Sequence, residues 1–162
     1  MVELVVELVV EQRVAADREA VWRAWTDPEA IARWWWHELP GTRIAADARV
    51  GGEYRFDAAA GWGATGEYRA LEPHDRIVLT WRWIDDGAPE AEVDVVEVLL
   101  TDEPVDADDA GAAPTGAAEE PRAAAQAVGT LVTVRHETRE AAAADYEVGW
   151  RDTLAHLPAA CA

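Results

Sequence analysis

The chain has 162 residues, half of them hydrophobic, enough for one domain with a real core. Its 14 basic residues, every one an arginine, face 32 acidic ones for a net charge of −18, so nucleic acid and anionic membrane surfaces are poor partners. Without lysine, Schiff-base and P-loop chemistry are excluded, and the acidic surplus is of the kind that suits a salty, halophilic-type cytosol or follows from GC-rich codon usage.

The first segment, Val2 to Ala15, is β-branched and reads as a long strand. Its valine doublets at Val5–Val6 and Val9–Val10 break the alternation and predict a bulge or burial on both faces. Glu3, Glu7 and Glu11 interrupt the apolar run, which is therefore read as neither signal peptide nor membrane span and points to the cytoplasm. Asp17 caps a short helix ending near Trp25, which places Trp22 and Trp25 in the core. Asp27-Pro28 starts a second helix, on which Ile31, Trp34 and Trp35 share one face. Trp36 stands about 140° from Ile31 around such a helix. It is the odd member of three consecutive tryptophans, with cavity mouth, exposed surface and partner contact left as its alternatives.

From Thr42 to Thr101 the period is two. Tyr54 and Phe56 alternate with charged residues after Gly51-Gly52, and Tyr68 does so after Gly66. Ile77, Leu79, Trp81 and Trp83 share one face of the next strand. The following strand slips phase at Val95–Val96. Either a bulge turns Asp94 and Glu97 both outward, or one carboxylate faces inward and is available for proton transfer. Residues 102–127 hold seven acids, one arginine and three prolines without an aromatic, and predict a disordered acidic insertion inside the last hairpin. The strand resumes at Gly129 to Glu137 and turns His136 inward with Val132 and Val134. His136 is then a hydrogen-bonded core residue or a general base. Arg139 to Leu157 reads as one helix with Tyr146, Trp150, Leu154 and Leu157 as its stripe. His37, His74 and His156 are assigned to the surface. Cys161, the only cysteine, lies at a frayed end, without disulfide or nucleophilic role. The four histidines show no metal-ligand spacing, so no metal is expected, and without a Gly-rich phosphate loop no cofactor either.

The stretches VAADREAVWRAWTDPEAIARWW, RVGGEYRF, GEYRALEPHDRIVLTWRW, GTLVTVRHE and YEVGWRDTLAHL occur in this order. Together they resemble the START-like (SRPBCC, helix-grip) superfamily, and within it the branch named after the C-terminal domain of the activator of heat-shock protein 90 ATPase. The resemblance implies a single α+β domain over residues 1–162, a curved antiparallel sheet gripping a long C-terminal helix, with two short helices after the first strand. It further implies a small hydrophobic or aromatic ligand between sheet and helix. The candidate lining is Trp35, Trp36, Tyr54, Phe56, Tyr68, Trp81, Trp83, His136, Tyr146 and Trp150. Two alternatives accompany this expectation. One is a polyketide cyclase- or dehydratase-like enzyme using His136 with Tyr68. The other is a chaperone co-factor, for which the chain lacks the extra N-terminal domain of the eukaryotic co-chaperone.

Overall fold

The computed structural model describes residues 4–104 and 128–161. Strand β1 (Val5–Val14) leads into helices α1 (Arg18–Thr26) and α2 (Pro28–Ile31). Strands β2 (Arg43–Ala46), β3 (Glu53–Asp57), β4 (Gly63–Glu72) and β5 (Arg76–Asp85) follow, then the two-residue β6 (Ala88–Pro89), β7 (Asp94–Pro104) and β8 (Val128–Arg139). Helices α3 (Glu140–Leu154) and α4 (Leu157–Ala160) close the chain. The strands form one antiparallel sheet in the order β1-β8-β7-β5-β4-β3-β2, with β6 as a side hairpin on β5. Helix α3 packs on its inner face, so the chain has the expected α+β helix-grip fold.

The helix starts follow their caps. Asp17 accepts the Ala20 N–H at 2.9 Å, and Asp27 accepts the Glu29 N–H at 3.0 Å ahead of Pro28. The second helix is shorter than its periodicity implies. It ends at Ile31 and gives way to turns, although the Trp34 and Trp35 amides still reach back to the Ile31 carbonyl at 3.2 and 2.9 Å. Both indoles are buried, and the Trp34 Nε1–H donates to the Ala24 carbonyl at 2.8 Å, satisfying an end carbonyl of α1. Trp25 joins them in the core, whereas Trp22 is only half-buried, edge-on to His74. Trp36 leaves helical geometry altogether with a φ of 49°.

The strands also depart from the expected pattern. β1 pairs with β8 in unbroken register, and β7 pairs without a shift with both β5 and β8. The expected bulges are absent because one valine of each doublet faces out: Val5, Val9 and Val95 are exposed. Alternation therefore continues through β7, so Asp94 shares the inner face with Val96 while Glu97 faces out to Arg76. The bulge lies instead in β4, where the register with β5 shifts between Tyr68 and Ala70. Nearby, a Cβ on Gly66 would meet the Thr80 carbonyl oxygen at 2.0 Å, so only glycine allows this close strand approach. β7 runs through Asp102 and Glu103, which pair with Arg18 and Arg13, so the acidic segment begins beyond Pro104. The rest of the insertion expected over 102–127, residues 105–127, lies outside the described residues.

The terminal helix is broken into α3 and α4 at Ala155–His156. Buried Leu154 and Leu157 flank the joint and hold both pieces to the core. This end is not frayed. Cys161 is half-buried against the core, and burial pushes its thiol up to about 11. Alkylation of the native protein by iodoacetamide at pH 8 should therefore run about 100-fold slower than for the unfolded chain, in proportion to thiolate. Equal rates would mean that α4 detaches in solution. Among the described residues no helix is long and apolar enough to cross a membrane.

Candidate functional site

A cavity of about 690 Å³ lies between β5, α3, the turns after α2 and the β3–β4 turn. That is the size of small-molecule sites in general. Its apolar wall is Trp35, Trp36, Trp62, Trp81, Trp83, Trp150 and Tyr146. Trp81 and Trp83 come from alternate positions of β5, and Tyr146 and Trp150 from one turn of α3. Trp62 stacks on Trp83 with rings 15° from parallel and centroids 5.7 Å apart, and Trp36 meets Trp62 edge-on at 4.6 Å.

The rim is acidic. Glu38, Glu90, Asp145 and Asp152 line the cavity against a single guanidinium, Arg139, which pairs with Glu92 at 2.5 Å. The remaining polar lining groups include His37 and His156.

Six of the ten sequence-chosen residues line this cavity: Trp35, Trp36, Trp81, Trp83, Tyr146 and Trp150. Tyr54, Phe56 and Tyr68 pack instead around a closed void of about 10 Å³ on the far side of Trp35. The Tyr54 hydroxyl serves the core, donating to the Thr80 carbonyl at 2.5 Å, and burial pushes the Tyr68 phenol up to about 12.

His136 is fully buried behind the wall. The Trp150 indole N–H donates to its Nδ1 at 3.0 Å, and its Nε2 meets Asp94 Oδ2 at 2.8 Å. An indole N–H can only donate, so Nδ1 carries the lone pair and Nε2 the proton given to Asp94. The inward carboxylate thus ends a hydrogen-bonded chain, and neither ring nitrogen is left to accept a substrate proton. Tyr146 lies against this imidazole with centroids 4.3 Å apart. Its oxygen accepts the Trp81 indole N–H at 3.2 Å, which leaves the phenolic proton to donate. Burial pushes this phenol up to about 12, so it stays a donor at neutral pH.

Trp62, Glu38, His37 and His156 also line the cavity, and the sequence pattern does not mark them for it. Trp62 sits between Gly61 and Gly63 in a turn, where no periodicity marks it. His37 and His156 are not isolated surface residues. Their rings lie 4.7 Å apart across the mouth of the cavity.

A family model described as Activator of Hsp90 ATPase homolog 1-like protein matches residues 15–108. Among solved structures, CalU16 from Micromonospora echinospora is similar at 25% identity over 96% of this chain and 76% of that one, with a TM-score of 0.62. DynU16, a protein of the dynemicin biosynthetic locus, is 22% identical over 94% of this chain, with a TM-score of 0.65. The match covers 45% of DynU16, so this chain spans less than half of it. A Rhizobium leguminosarum protein is 18% identical over 99% and 96% of the two chains, with a TM-score of 0.67. No curated protein matches the chain significantly.

Proposed function

The chain belongs to the family of Activator of Hsp90 ATPase homolog 1-like proteins, within the START-like superfamily, and from this premise we propose that it binds a flat aromatic small molecule in the indole-walled cavity. The observation that carries this reading is the wall itself, six indoles and one phenol around about 690 Å³. Aromatic walls favour stacked and edge-on contact with a planar ligand. The four rim carboxylates favour a neutral or cationic ligand over an anion. The free proton of Tyr146 suits a ligand carbonyl or hydroxyl.

Other readings have less support. A cyclase-like enzyme with His136 as base needs a free ring nitrogen, and both are engaged. Tyr68 lies on the void beyond Trp35, away from that ring. For a chaperone co-factor, the outer sheet face offers Val5, Val9 and Val95, but Glu7, Glu11, Arg135 and Glu137 break up the patch.

The test is quenching of intrinsic Trp fluorescence by anthraquinone, by a cationic acridine dye and by a naphthalene sulfonate. Saturable quenching by the first two, with the anion clearly weaker, is expected. Trp83→Ala should weaken binding by more than about tenfold. Tyr146→Phe should weaken the carbonyl-bearing probe about 3–10-fold and spare anthracene, which has no acceptor. If none of these probes saturates, the cavity does not hold an aromatic ligand.

A further inference from the structure

His37 and Glu38 occupy the two corner positions of a turn closed by the Leu39 N–H on the Trp36 carbonyl at 3.0 Å. The Thr42 hydroxyl pins this turn, with Oγ1 3.1 Å from the Trp36 carbonyl and 2.9 Å from that of Leu39. His156 stands opposite, in the joint between α3 and α4, its own N–H on the Thr153 carbonyl at 3.2 Å. One ligand atom from each of His37, Glu38 and His156 lies within 4.8 Å of the others. The side chains of these three make no hydrogen bond or ion pair with another described residue, and the two imidazoles lie edge-on.

We propose that His37, Glu38 and His156 form a zinc-binding site at the mouth of the cavity. Two imidazoles and a carboxylate are a donor set that zinc takes in sites with an open fourth position. Donor atoms around a tetrahedral zinc stand about 3.4 Å apart for bonds of roughly 2.0–2.2 Å. The arms must therefore close by up to about 1.4 Å, which side-chain rotation supplies at exposed His37 and Glu38. Magnesium and calcium prefer all-oxygen shells, so the imidazoles select against them. All three side chains line the cavity, so the fourth position is open to water or to an oxygen of a bound molecule. The site itself stands whatever the cavity holds; only that last use depends on the ligand reading.

Calorimetric titration of the chelator-treated full chain with zinc, in excess magnesium, tests the site without any cavity ligand. One zinc per chain is expected. His37→Gln and His156→Gln should each weaken it by at least about tenfold, since even outer-shell partners of metals are worth that much. His37 is exposed, so its variant isolates metal binding from folding, and far-UV circular dichroism verifies this. Cobalt in place of zinc should give the intense visible bands of a low-coordinate site. Many weak sites that magnesium removes, or a single site unchanged in both variants, would overturn the proposal. Either result leaves the quenching experiment, and the aromatic-ligand reading, untouched.

Discussion

Replacing Trp35 with alanine is expected to lower stability by about 3–5 kcal/mol. The indole is 2% exposed and meets Trp25, Trp34, Trp36, Phe56, Trp81 and Trp150 with ring centroids between 4.8 and 6.1 Å. With Trp81 and Trp150 it lines both the large cavity and the small void beside it. Truncation would therefore enlarge both spaces, and the loss grows with the space left behind. Trp35→Phe should cost far less, about 1–2 kcal/mol. The Trp35 indole N–H is buried without a partner among the described residues, so phenylalanine removes an unsatisfied donor together with the area. Urea unfolding of the three proteins measures both differences. A loss below about 1 kcal/mol for Trp35→Ala would mean that the indole does not pack in solution as it does here.

The legibility of this fold in its sequence follows the range over which each feature is specified. Caps and strands are specified locally: Asp17, Asp27-Pro28 and the alternation of Tyr54 with Phe56 are read within a few residues and appear as read. The valine doublets misled because an exposed valine costs little, so hydrophobicity alone does not say which face it occupies. The bulge at Arg69 was silent for the opposite reason. One extra residue inside a polar–apolar alternation leaves no mark until the partner strand is known.

Trp36 shows the limit of periodicity. The 31–34–35 spacing persists through the turns that follow α2, and Trp36, at a φ of 49°, sits in a region unfavourable for a bulky side chain. Ring contacts with Trp35, Trp62 and Trp83 hold it there. Only Trp35 of these three could be foreseen as a neighbour. Likewise, nothing in the spacing of His37 and His156 announces that a turn and a helix joint bring them together. The indole wall was largely legible because β5 and α3 are regular elements, whereas the rim comes from turns.

The second large effect concerns Asp94, and it separates two descriptions of His136. If the ring is neutral with its proton on Nε2, as the Trp150 indole donation to Nδ1 requires, Asp94 acts as a hydrogen-bond acceptor. Asparagine can present an amide oxygen to the same proton, so Asp94→Asn should cost under about 1 kcal/mol. Asp94→Leu leaves a buried N–H without a partner and should cost about 2–3 kcal/mol. Denaturant unfolding gives both values, and the ¹⁵N shifts of His136 report which nitrogen carries the proton. An Asn variant as damaging as the Leu variant would mean that the carboxylate charge itself is required, and with it a doubly protonated ring. Such a ring has no lone pair on Nδ1, so the Trp150 bond would have to be broken in solution and α3 would sit differently on the sheet. The small cost of asparagine is therefore a test of where the helix rests as much as of the histidine, because Trp150 is the residue through which α3 and β8 share a hydrogen bond.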